Sequence, residues 1–156
     1  MQKIINVIIN SEFVKKVWIG DPSYVIAEDL WDSVREQTKD GQEDGHTIEF
    51  TTRQCQAAGF ENVESKPLLF LQCRTMSGDG VYDSKTGYMY GVDSGGLAVV
   101  PDYLISKENK KDAGEFGQYF EVSGIVRLES SGTGIFTFFD GDKIIEEIFT
   151  DDACEE

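Results

Sequence analysis

The sequence predicts an α+β fold that is mainly β, a compact antiparallel barrel or sandwich of sheets with one amphipathic helix near the N-terminus. Three observations predict it. Short runs rich in Val, Ile, Phe and Tyr recur along all 156 residues, punctuated by Gly, Asp, Asn and Pro. A clear helical periodicity occurs near the N-terminus, where Ile26, Ala27, Leu30, Trp31 and Val34 form an apolar stripe. No fixed-spacing repeat or linker interrupts the chain, so residues 1–150 read as a single β-rich domain and 151–156 as an acidic C-terminal tail. An apolar content of 40 % with 12 % aromatics is enough for one packed core.

The elements follow in order. Residues 3–9 and 13–19 are β-branched and aromatic, and Asn10-Ser11-Glu12 between them predicts an opening hairpin. Gly20-Asp21-Pro22 ends the second strand, because Pro22 cannot donate to a ladder. The helix follows, with Glu28, Asp29 and Asp32 toward its start and Arg35 toward its end, as the helix dipole favours. Residues 38–45 read as a polar loop, 46–52 as a weak strand, and 54–60 as ambiguous. Residues 67–73 form an apolar run expected as a buried strand. Val81-Tyr82 opens another strand, Ser84-Lys85-Thr86-Gly87 is a hairpin loop, and Tyr88-Met89-Tyr90 returns. Leu97 to Val100 is a strand closed by Pro101, which starts a single helical turn through Ile105. Residues 107–117 read as a charged loop, and Phe120 to Leu128 as one strand with a bulge at Gly124. Residues 135–139 and 143–149 make a closing hairpin about Asp140-Gly141-Asp142.

The net charge of −15 is the extreme property. It opposes direct binding to DNA, RNA or an anionic membrane, since each phosphate contact needs a cation and the chain has only 14 Lys and Arg. It suits a partner protein with a basic surface, and it equally suits plain solubility. The last seventeen residues, from Asp140, hold eight acids and one lysine. Asp140, Asp142, Glu146, Glu147, Asp151 and Asp152 are therefore the expected partner-binding acids, against the alternative of a merely solvated tail. Cys55, Cys73 and Cys154 lack a Cys-x-x-Cys spacing, which favours a reducing compartment and no disulfide framework. The apolar start, Met1 to Ile9, is too short to span a membrane and reads as a strand rather than a signal peptide, so a cytoplasmic location is expected.

No catalytic residue is assigned. His46 is the only histidine, without a nucleophile elbow, and no phosphate loop or dinucleotide fingerprint occurs. No metal or cofactor is assigned either. An EF-hand register starting at Asp79 would place Tyr90 where the bidentate Glu belongs. The candidate ligand site rests on three Gly-Asp segments and their neighbours: Asp21, Tyr24, Asp79, Tyr82, Asp93 and Ser94. Aromatic faces beside glycine turns could hold a nucleotide-like ligand, and the competing reading is ordinary turns with core tyrosines.

These segments carry a resemblance. Gly20-Asp21-Pro22-Ser23-Tyr24-Val25, Gly78-Asp79-Gly80 and Val92-Asp93-Ser94-Gly95 resemble, in order and spacing, a loose family of small uncharacterised phage and bacterial proteins. The match spans about residues 17–104, and Ser23 stands where cysteine is common in that family. The resemblance implies a phage or mobile-element accessory protein and no particular reaction. Together with the charge it leads to an expectation of a non-enzymatic acidic protein that binds and inhibits a host protein in the host cytoplasm, through nucleic-acid mimicry or an anti-defence role. The alternative is a small-molecule or nucleotide-signal sponge.

Overall fold

The computed structural model describes residues 5–38 and 46–151. Of the loop expected at 38–45, residues 39–45 lie outside the described residues, as do Asp152, Cys154 and the rest of the tail. The chain begins with β1 (Ile5–Asn10), β2 (Lys16–Gly20), a 3₁₀ turn at Pro22–Tyr24, α1 (Glu28–Thr38) and β3 (His46–Glu49). It continues through α2 (Thr52–Ala57), β4 (Leu69–Arg74), β5 (Gly80–Tyr82), β6 (Tyr90–Val92) and β7 (Gly96–Pro101). Two 3₁₀ turns, Asp102–Leu104 and Lys107–Asn109, lead into α3 (Lys110–Phe116) and β8 (Gly117–Glu121). The last strands are β9 (Ile125–Ser130), β10 (Ile135–Asp140) and β11 (Lys143–Phe149).

Among the described residues the strands form three antiparallel sheets, ordered β1-β9-β10-β11, β3-β4-β7-β2-β8 and β5-β6, with no closed barrel. The two larger sheets share a core in which Val17, Ile19, Leu71, Leu97 and Val99 meet Val126, Leu128, Phe136, Phe138 and Ile148. The opposite face of the five-stranded sheet packs Trp18, Phe70, Ala98 and Val100 against Leu30 and Val34 of α1, Leu104 and Ala113. Both faces of β2 and β7 are thus covered, which is why they read as continuous apolar runs rather than alternating ones.

The expected opening hairpin does not form. β1 pairs with β9, and β2 pairs with β7 and β8 in the other sheet. A strand as apolar as β2 on both faces belongs inside a sheet, where two neighbours can satisfy its backbone. The expected single strand from Phe120 to Leu128 is likewise two strands, one in each large sheet. The two crossings run side by side, held by Ser11 N–H to Gly124 O at 2.8 Å and Val122 N–H to Lys15 O at 2.9 Å. Gly124 makes this corner: its φ is +110°, and a Cβ there would lie 2.7 Å from Ser11 O.

The expected loop at 107–117 is helical as far as Phe116, because Ala113 is needed in the core and its carbonyl accepts the buried Trp18 indole N–H at 2.7 Å. The ambiguous 54–60 segment contains most of α2, which Thr51 and Gln54 start with reciprocal capping bonds. The small β5-β6 hairpin bridges the larger sheets. Its connecting loop bonds to β11 through Lys85 N–H to Glu147 O and Phe149 N–H to Asp83 O.

Candidate functional site

The three Gly-Asp segments converge. Pro22 stops β2 so that the Asp21 side chain turns under the loop between β6 and β7, where it is fully buried. Its Oδ2 accepts from Asp93 N–H at 2.6 Å and Ser94 N–H at 2.9 Å. Its Oδ1 accepts from the Ser94 hydroxyl at 2.6 Å and Ser23 N–H at 2.9 Å. Tyr24 donates to Asp93 Oδ2 and stacks on Phe116, with centroids 4.4 Å apart. Asp79 is exposed beside them, and a Cβ on Gly95 would lie 3.9 Å from its Oδ1. The Tyr24 phenol is held well above its ordinary value, first by the bond to Asp93, then by burial and the charges of Asp93, Asp21 and Asp79. Tyr82 does not join the cluster: its ring is fully buried in the inter-sheet core and its hydroxyl donates to Gly78 O at 2.5 Å.

This arrangement is a clip. Each Asp21 oxygen already accepts two bonds, so the carboxylate has no vacant position for a ligand and no access to one. It ties the turn after β2 to a loop about seventy residues away and fixes the path of the chain into β7.

Glu146, expected on a partner-binding surface, is instead fully buried. Its Oε2 accepts from Thr86 Oγ1 at 2.6 Å, Tyr90 Oη at 2.7 Å and Gln118 Nε2 at 3.0 Å, and its Oε1 from Glu147 N–H at 3.0 Å. A bulge near Phe138/Phe139 in the β10–β11 pairing resets the register of this stretch. Burial holds the Tyr90 phenol far above its ordinary value, and the neighbouring Glu146 adds to the effect. The network joins β11, the β5-β6 hairpin and β8, so this carboxylate too is structural. Among the other expected partner acids, Asp142 and Asp151 are exposed. Asp140 is held by Ser123 N–H and Oγ, and Glu147 accepts from Thr137 Oγ1 at 2.8 Å.

The open concave surface lies on the helical layer instead. Two adjoining depressions of about 440 and 600 Å³ share Ala58 and Glu108. Partly buried Trp31, Ala58, Phe60 and Tyr103 supply apolar surface there. Glu28, Asp29, Glu61, Asp102 and Glu108 bring acid to the rim, against Lys107 and Lys110, and Lys110 is already paired with Asp102 at 2.7 Å. Ser106 lines the larger depression, and its hydroxyl is buried with no hydrogen-bond partner among the described residues. Sequence reasoning missed this surface because two of its sides fall in 54–60 and 107–117, stretches whose helical character depends on core contacts. The one available signal was aromatic residues, Phe60 and Tyr103, beside acidic ones.

A smaller cleft of about 300 Å³ opens beside Ser94, Gly95 and Gly96. Trp31, Arg35, Gln72 and Arg74 also line it, and Gln72 Oε1 is buried without a hydrogen-bond partner among the described residues. His46 lies on the edge strand β3, Cys55 and Cys73 are buried, and the Cys73 thiol donates to Leu97 O at 3.5 Å. Among the described residues, no three His, Cys, Asp or Glu side chains are grouped to hold a metal ion, and no helix is long and apolar enough to cross a membrane. Compared with protein-family models, curated proteins and solved structures, the chain matches none.

Proposed function

We propose that the chain is a non-enzymatic acidic accessory protein that binds and inhibits a protein with a basic surface. The observation that carries the reading is how its carboxylates are divided. Of the described acids only Asp21 and Glu146 are buried, and both are consumed by internal hydrogen bonds. The remaining acids are at least partly accessible, on a chain of net charge −15. Such a surface attracts a cationic partner from a distance and repels nucleic acid, so a nucleic-acid-handling protein with a basic cleft is the partner class it fits. The sequence resemblance supports a phage or mobile-element origin, with the host cytoplasm as the place of action.

The test is affinity capture from a bacterial lysate at low and high salt, followed by repurification of what is captured. A basic protein retained at low salt, released by salt and displaced by duplex DNA supports the reading. If low salt enriches no basic protein, the reading fails.

One observation favours a second reading, a small-molecule sponge: the cleft beside Ser94 combines two arginines, an indole and an unpartnered amide oxygen. A nucleotide at 100 times its dissociation constant would add about 2.7 kcal/mol of stability. A cyclic-nucleotide panel that leaves the melting temperature unmoved rejects it.

A further inference from the structure

We propose that the paired depressions on the helical layer are the docking groove, and that their occupant is a basic amphipathic peptide segment inserting an apolar anchor beside Ala58. The inference rests on the reading of the chain as an acidic protein-binding module and names the surface and the chemistry of its partner. Three independent features converge on it. The first is concavity: α1, the end of α2 and the segment from Asp102 to Lys110 enclose two depressions that meet at Ala58 and Glu108. An Ala at their junction leaves room that a larger side chain would fill.

The second feature is chemical zoning. Trp31, Phe60 and Tyr103 offer apolar faces, while Glu28, Asp29, Glu61 and Glu108 stand along the rim. Apolar contacts inside a charged rim are the arrangement by which grooves take one stripe of an amphipathic segment. The rim selects the flanking charge. With Lys110 engaged by Asp102, Lys107 and Lys66, which lies 5.1 Å over the Tyr103 ring, stand against those four acids; the acids still outnumber them, so an occupant with Lys or Arg beside its apolar stripe is favoured and an acidic one is repelled.

The third is the Ser106 hydroxyl. It precedes the Lys107–Asn109 turn yet makes no capping bond, and it is buried in the wall of the larger depression with no partner among the described residues. A buried hydroxyl left unpaired is costly, so the wall of the larger depression holds a polar group whose bonding is unsatisfied in the free protein.

The probe is a synthetic peptide with Leu and one Trp at i, i+3, i+4 and i+7 and Lys on its other face, with a control in which Glu replaces every Lys. Binding is read by fluorescence anisotropy at low salt, and its location by amide chemical-shift perturbation. The Lys peptide is expected to bind and to perturb Ala58, Phe60 and Ser106, and the Glu peptide is not. Ala58→Trp, which plugs the junction, and the exposed double change Glu61→Lys/Glu108→Lys should each weaken binding about tenfold or more. The charge variant alters exposed side chains only, so it remains informative if Ala58→Trp unfolds.

Equal binding by wild type and the charge variant, or perturbations confined to another face, overturns the groove and leaves the acidic-binding reading standing. The groove is overturned in the same way if a basic protein is captured but the Lys peptide does not bind. If neither the peptide nor any basic protein binds at low salt, both readings fall.

Discussion

Replacing Asp21 with Ala removes an acceptor that holds four donors: Asp93 N–H at 2.6 Å, Ser94 Oγ at 2.6 Å, and the Ser23 and Ser94 amides at 2.9 Å. A hydrogen bond to a charged group contributes about 1.5–3 kcal/mol, and a simple sum of four would overshoot. Asp93 and Ser94 are exposed, so once released their amides can take water. The Ser23 bond is local and closes only a short turn. The loss should therefore be worth roughly two such bonds at the lower end, about 3 kcal/mol. For a domain of this size that lowers the melting temperature by about 6–12 °C. Asp21→Asn keeps one acceptor and should lose about half as much. Calorimetry with far-UV and near-UV circular dichroism measures both. If Asp21→Ala melts within about 2 °C of wild type, the buried carboxylate is no clip. If that variant also loses ligand or partner binding, Asp21 belongs to a site.

Glu146→Ala leaves Tyr90, Gln118 and Thr86 without their shared acceptor at a fully buried position and should cost about 2–4 kcal/mol, read by denaturant unfolding. An unchanged midpoint and slope would contradict the network's role. Gly117→Ala drives a Cβ to 2.4 Å from both Ile19 O and the Trp18 ring, and should destabilise by about 1–3 kcal/mol with a changed near-UV signal from Trp18. Wild-type stability would show that the β2–β8 pair can open around the indole. All six tyrosines are held above their ordinary value, with Asp93 as the first cause at Tyr24 and burial at the others. A raised phenol keeps its proton in the folded state, so this stabilisation is complete below the unfolded value near pH ~10 and is lost as pH rises through the folded-state values. Phenolate absorbance should lag that of the denatured chain and rise together with unfolding. Normal titration of every tyrosine in a protein with intact near-UV dichroism would refute it.

Local chemistry carried much of the fold into the sequence. Periodicity marked α1, Pro22 marked the end of β2, and Asp140-Gly141-Asp142 marked the last hairpin, because each depends on residues within a few positions. The glycine at 124 was legible as an irregularity, but the change of sheet there was not, since only the partner strand reveals it. The two short helices after residue 50 were hidden for a related reason. Their apolar content is small, and helicity that short is sustained by packing around Cys55 and Ala113 rather than by intrinsic propensity.

The candidate site divides along the same line. Sequence alone singled out Asp21, Tyr24, Asp79, Tyr82, Asp93 and Ser94, and four of these six meet in direct hydrogen bonds, while Tyr82 lies in the inter-sheet core. It also determined the net charge, a sum over residues that no fold can alter. Which carboxylates face water was decided only by the tertiary structure. Asp21 and Glu146 look like any other acid in a turn or a charged terminal stretch, yet donors contributed from distant segments of the chain take them into the interior. The groove at Ala58 is likewise a property of three separated segments, formed because their apolar residues must cover one face of the same sheet.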